Sequence, residues 1–197
     1  MSKNSGPNKD NLEQTHKLFL SEAKKEFVKY GYADASTNRI VDNTGMARGS
    51  LYYHFGDKKG LFTQVYKSLL LDMAAHIEKA MTKEKTHWGA LKAGCGCYID
   101  LCLKKERRRI ILESYAALDY HERLNVQKET LLRTLEETVK NAQQEGYFKN
   151  QDPMVISILI YGMISEAGRS FELFKKPKDI HDSLRQTAMD TLDKMAQ

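Results

Sequence analysis

The residues best suited to chemistry lie between Ser36 and Leu61, in the run STNRIVDNTGMARGSLYYHFGDKKGL. Two short amphipathic segments meet there at Thr44-Gly45-Met46, where a glycine supplies the positive φ that such a tight turn often needs. In the second segment Leu51 and Phe55 stand four residues apart and share the buried face. The other side carries Arg48, Gly49, Ser50, Tyr52, Tyr53 and His54. Small, polar and aromatic groups crowded at a helix N-terminus are what a helix-turn-helix presents to the major groove. Each residue also has a plain structural reading. Ser36 is as good a helix cap as a phosphate contact, a Tyr-Tyr-His-Phe run taken alone is core packing, and Lys58 alone is a solvated lysine. Their occurrence together at one helix-turn-helix spacing favours DNA.

The stretch resembles the DNA-binding domain of the TetR family of bacterial transcriptional regulators. The matching residues are Phe27, Gly31-Tyr32, Ser36, Ile40, Gly45, Arg48 to Phe55, Lys58 and Leu61-Phe62, and the likeness covers residues 12–66. It departs from the family pattern at Ala35, where Thr is frequent, at Glu26, where an apolar residue is common, and at Gly60, where a better helix former is usual. The resemblance implies base readout by Arg48, whose planar fork suits the two acceptors of guanine. Gly49 lets the backbone approach the DNA, and Ser50 contacts a base or phosphate. Tyr52, Tyr53 and His54 match phosphate-contacting positions, with Tyr52 also placed to pack on a thymine methyl. Lys58 joins a helix N-terminus at one phosphate. Ser36, Thr37 and Asn38 open the preceding helix and donate to the DNA backbone.

The surrounding elements are helical throughout. Phe19, Leu20, Ala23 and Phe27 recur at helical spacing before Gly31 stops the run. Ser36 caps a short helix carrying Ile40 and Val41, and Ala47–Phe55 forms the next. Asp57 caps a long helix with the stripe Leu61, Val65, Leu69, Met73, Ile77. Further helices are expected over Trp88–Leu103, Arg107–Leu118, Leu124–Gln144, Met154–Phe174 (opened by Asp152-Pro153) and, beyond Pro177, Ile180–Met195. No segment sustains period-2 alternation, so the fold class is all-α. A three-helix DNA-binding domain over residues 12–60 precedes a larger helical ligand-binding and dimerisation domain over 61–197. Residues 61–80 connect them, and a disordered tail is expected over 1–11.

Composition bounds the function. The 197 residues carry Lys+Arg 31 against Asp+Glu 26, a formal charge of +5 concentrated toward the N-terminus, which allows a nucleic-acid face without requiring one. Hydrophobic residues make up 41% and charged residues 29%, as in soluble globular chains. The run Met154–Ser165 is too short to cross a bilayer, and the N-terminus lacks the apolar core of a secretory signal, so a cytoplasmic protein without a membrane partner is expected. There is no HExxH, GxSxG, P-loop or paired-carboxylate constellation, which argues against an enzyme. No cofactor is called for.

The family's C-terminal domain binds a small molecule and dimerises, and the resemblance implies both here. The last two helices carry broad apolar faces suited to an intermolecular four-helix bundle in a homodimer on a palindromic operator. Trp88, Tyr98, Cys102, Tyr115, Tyr161 and Glu166 are candidates to line the effector pocket, with Glu166 available to balance a positive charge or to pair with Arg169. Two alternatives stand beside the ligand-released repressor. One is a helical adaptor that no longer binds DNA. The other is a thiol- or metal-responsive regulator using Cys95 and Cys102, which share a helix face while Cys97 points away.

Overall fold

The computed structural model describes the backbone from Pro7 to Ala196 and the side chains from Leu12 onward. Ten α-helices follow one another, and no strand occurs among the described residues. They are α1 (Pro7–Asp34), α2 (Thr37–Thr44), α3 (Arg48–Phe55), α4 (Lys58–Met81), α5 (His87–Leu101), α6 (Lys105–Ala117), α7 (Tyr120–Gln127), α8 (Arg133–Gln144), α9 (Pro153–Ser170) and α10 (Pro177–Met195). A π-helical turn, Lys128–Leu132, joins α7 to α8, and one turn of 3-10 helix, Phe171–Leu173, extends α9. Of the tail expected to be disordered, residues 7–11 are helical and residues 1–6 lie outside the described residues.

Local chemistry explains most boundaries. The Ser36 hydroxyl caps α2 by accepting from the Arg39 amide, and Gly45 closes that helix in the left-handed region at φ 66°. Asp57 caps α4 by accepting from the Gly60 amide at 2.7 Å. Asp119 and Glu122 form a reciprocal capping box. That box opens α7 at Tyr120, before the Leu124 expected from the apolar pattern. Asp152 accepts from the Met154 and Val155 amides, with Pro153 at the first position of α9.

The helix-turn-helix core is built from α1, α2, α3 and the start of α4. Phe19, Ala23, Phe27, Leu51, Leu61 and Phe62 are fully buried, and Phe27 and Phe62 meet edge to face at 5.0 Å. Glu26, which departs from an apolar family preference, is buried here for a reason. Its carboxylate accepts from the Ser36 amide at 2.9 Å and the Arg39 Nε at 2.8 Å, tying α1 to the first turn of α2. A negative group at that helix N-terminus is electrostatically favourable.

The larger unit packs around α4, which contacts α5, α6 and the π-helical turn. Helix α5 lies against α8 and α9, and α10 covers α5 and α9. Helix α9 with its 3-10 extension, Pro153–Leu173, is long and apolar enough to span a bilayer by length and composition, contrary to the shorter run read from sequence. Its buried face, Ile156, Ile160 and Ile164, packs in the core, while Val155, Ile158 and Leu159 are each more than half exposed. Helix α10 turns its expected apolar face, with Ile180, Leu184 and Met195 partly buried, onto the core of its own chain. It buries Ala188 and Leu192, and its outer side shows Asp182, Gln186 and Asp190.

Gly60 lies where α4 folds back on the end of α3, and a Cβ there would overlap the Phe55 carbonyl oxygen. Backbone, unlike a flexible side chain, cannot step aside. Gly60→Ala is therefore expected to lower stability by about 1–3 kcal/mol despite alanine's better helix propensity, as measured by urea unfolding.

Candidate functional site

Helix α3 is held by one face and free on the other. Leu51 is fully buried and Phe55 nearly so, whereas Tyr53 is 79% exposed. A side chain at Gly49 would meet nothing within 4 Å, so this stretch of backbone is open to a close partner. Arg48 and Ser50 sit in the same opening turn, with Arg48 exposed and Ser50 half-buried. Arg48 donates to the Tyr52 hydroxyl at 3.3 Å and lies 5.6 Å from its ring centre, a pairing one helical turn apart. The Arg48 hydrogen bond, followed by one with Thr37, holds the Tyr52 phenol below its ordinary value. Arg48 and Tyr52 thus form one preset unit that leans on the first turn of α2, where Asn38 is exposed.

Three of the residues expected to face DNA are partly committed within the protein. His54 is half-buried against α1, with His16 at 5.8 Å and Phe19 at 6.5 Å between ring centres. Lys58 donates to the Ala33 carbonyl at 2.9 Å and sits over the Tyr32 ring, so it caps the end of α1. Ser36 works as a helix cap. These contacts follow from position: each residue stands where two helices of the unit meet.

A cavity of about 130 Å³ lies between α4, α5, the π-helical turn, α8 and α9. Two of the six pocket candidates, Tyr98 and Tyr161, line it, with rings edge to face at 6.1 Å. The Tyr98 hydroxyl is buried and has no hydrogen-bond partner. Burial raises both phenols well above their ordinary value. The other four lie elsewhere. Trp88 stacks on Tyr147 at 4.4 Å and meets Phe148 edge-on, anchoring the start of α5 to the segment after α8. Cys102 is wedged against Gly168 of α9. Tyr115 is exposed between the guanidinium groups of Arg123 and Arg169. Glu166 is exposed and paired with Arg169. Aromatic side chains at helical spacing are the right type for a pocket but equally for packing, and spacing alone does not separate the two. Sequence reasoning missed Thr130, Thr134 and Thr138, which line one wall. Their signal was a polar residue repeated every fourth position on one helix face.

The cysteine reading is corrected by the same geometry. Cys95 faces the cavity while Cys102 packs on α9, and burial pushes both thiols up to about 12. Burial thus disfavours the thiolate at both positions. Among the described residues no group of three His, Cys, Asp or Glu side chains is arranged to hold a metal ion.

The comparisons with known proteins agree along the whole chain. The profile described as "Bacterial regulatory proteins, tetR family" matches residues 19–65, and "Tetracyclin repressor-like, C-terminal domain" matches 88–197. The transposon Tn10 TetC protein of Escherichia coli is 26% identical over 160 residues, 81% of each chain. An HTH-type transcriptional repressor of Mycobacterium tuberculosis is 35% identical over 66 residues, 34% of this chain and 35% of that one. A TetR-family transcriptional regulator from Pectobacterium atrosepticum has a similar structure, with a TM-score of 0.78 at 24% identity over 95% of this chain and 96% of that one.

Two outcomes are expected from the titrating groups. Burial, and secondarily the His54 charge, hold the His16 imidazole below its ordinary value of 6.5, while it stacks on Phe55 at 4.7 Å. The unfolded chain then binds the proton more tightly, so the contribution is complete above that value and is lost as pH falls through the folded one. Urea midpoints should drop on moving from neutral to mildly acidic pH, and drop less in His16→Gln. Thiol titration of the folded protein with an aromatic disulfide near pH 8 should modify Cys97 first, with Cys95 and Cys102 reacting only on unfolding.

Proposed function

The chain belongs to the tetR family of bacterial regulatory proteins, and from that premise we propose that it is a homodimeric repressor that binds a palindromic operator and is released by a small molecule. Residues 12–60 read the DNA and 61–197 dimerise and hold the effector. The supporting observation is the free face of α3: Arg48, Gly49 and Tyr53 open to solvent on a helix whose other side is locked by Leu51 and Phe55. A reading helix needs this combination, because base discrimination requires side chains placed without reorganisation. Arg48 reads a base edge. Ser50, Tyr52, Tyr53 and the Ser36–Asn38 turn position the backbone, and His54 and Lys58 contribute at the edge of the interface while holding α1 in place.

The second subunit packs on α9. Val155, Ile158 and Leu159 form an apolar stripe without a cover in the single chain, and the polar outer face of α10 forms the rim of the same interface. Dimerisation sets two α3 helices roughly 34–36 Å apart, one turn of DNA. The named repressor among the relatives supports repression as the outcome. The effector enters the cavity, whose α4 wall carries Ala74 and Ile77 on the same helix that begins beside α3. A ligand moves this equilibrium only through its different affinity for the two conformers, so ligand and operator weaken each other by equal factors. The protein acts in the cytoplasm, and the effector leaves chemically unchanged.

Selection from a random duplex pool at near-physiological salt tests the reading. An inverted repeat is the expected product, and recovery of no motif, with only salt-sensitive binding, would reject it. On the recovered operator, Arg48→Ala should cost about 1–3 kcal/mol and relax preference at one position. Lys58→Ala should weaken all sequences alike and shallow the salt slope by about one unit. Uniform loss in both variants would remove Arg48 from base readout. Ile158→Glu should yield a monomer by sedimentation and lose operator affinity, while retaining the helical spectrum.

A further inference from the structure

The chemistry of the cavity restricts what it can hold. Its volume of about 130 Å³ compares with the engineered cavity of about 150 Å³ that takes up one benzene. A single ring with a short substituent fits. Ile77, Met81, Leu91 and Ile164 supply apolar wall, and Tyr98 and Tyr161 supply aromatic surface. Among the described residues no lysine, arginine or histidine lines it, so an anion entering would surrender its hydration with no cation in return.

Two threonines in the wall have already committed their protons. Thr130 donates its hydroxyl proton to the Val126 carbonyl at 2.7 Å, and Thr138 donates to the Thr134 carbonyl at 2.7 Å. Each hydroxyl is left with lone pairs only. Glu78, an exposed carboxylate, adds a further acceptor and the one ionisable acid in the lining. The Tyr98 hydroxyl has no partner and brings a proton of its own as well as lone pairs, so it can serve a ligand's acceptor or donor. The committed acceptors at Thr130 and Thr138 favour a ligand that donates, and aromatic surface with a carboxylate at the edge favours a positive one.

We propose that the cavity binds a monocyclic aromatic amine in its protonated form, with the ring against the apolar wall and the ammonium directed to the threonine hydroxyls and Glu78. The proposal rests on the reading of the cavity as the effector site. The test is calorimetric titration of the full chain with 2-phenylethylamine, 2-phenylethanol and phenylacetate, which share a ring and differ in charge. The amine should bind at least about tenfold more tightly than the alcohol, as expected for hydrogen bonds to a charged group. Phenylacetate should not bind. Glu78→Gln, at an exposed position that keeps the fold, should remove the advantage of the amine and leave the alcohol unchanged. Ala74→Phe should abolish binding of both by filling the cavity, with thermal melts confirming that each variant is folded. Phenylacetate binding as tightly as the amine, three indistinguishable probes, or no amine binding at millimolar concentration would overturn the proposal. Operator release is read separately. Amine binding with the stated selectivity but no release would leave the ligand class standing and remove the cavity's role as effector site. Release by other compounds without amine binding would do the reverse.

Discussion

Helix α4 has to be buried twice. Its first turns pack Leu61 and Phe62 into the core of the DNA-reading unit, and its middle buries Tyr66, Leu69, Leu70 and Met73 among the helices of the larger unit. Its last turns, through Ala74, Ile77 and Glu78, form one wall of the cavity. At a rise of about 1.5 Å per residue, the helix is a rod of roughly 36 Å whose two ends serve different sites. The ion pairs along its sides are Lys67 with Glu129 at 2.6 Å, which is solvent-exposed, and the mostly buried Arg107 with the exposed Asp72 at 2.9 Å. An exposed pair such as Lys67–Glu129 stabilises little.

A second junction ties the units together away from α4. Gly31, at φ 77°, interrupts α1 and frees the Tyr32 amide, which donates to the Glu113 carboxylate of α6 at 2.6 Å. A Cβ on residue 31 would meet only the flexible ends of Arg109 and Glu113, so it is the positive φ that calls for glycine. Helix α6 therefore contacts both α1 and α4. The π-helical turn also packs on α4. There Gln127 donates to the buried Tyr66 hydroxyl at 3.1 Å, and Thr130 and Leu131 reach the cavity. A π-turn gives up regular helical hydrogen bonding to re-aim side chains, and these segments are often found at functional sites.

Much of the candidate site was legible because it depends on local rules. Ser36 as cap, Gly45 as turn and the Leu51–Phe55 face follow from backbone geometry within a dozen residues. The resemblance then attached DNA to that pattern. Glu26 and Gly60 read as departures from the family pattern, and the fold gives each a reason, the α2 N-terminus that Glu26 accepts from and the Phe55 carbonyl that leaves no room for a side chain at residue 60. The pocket was far less legible. Trp88, Cys102, Tyr115 and Glu166 have the right chemistry, but which face of a helix meets which neighbour depends on helices far apart in the chain.

The order of helices, their caps, the turn between α2 and α3 and membership of a DNA-binding family were determined by the sequence alone. Periodicity and capping act over one to four residues, and a recognition motif is compact. The tertiary structure alone decided that Thr130, Thr138 and Glu78 share a cavity with Tyr98, and that Cys95 and Cys102 are buried, which raises both thiols. It also decided that the uncovered apolar stripe belongs to α9 and not to α10. Burial is a property of the assembled bundle. A side chain's solvent exposure, and with it the affinity for a proton or a ligand, is set by neighbours that only packing brings near.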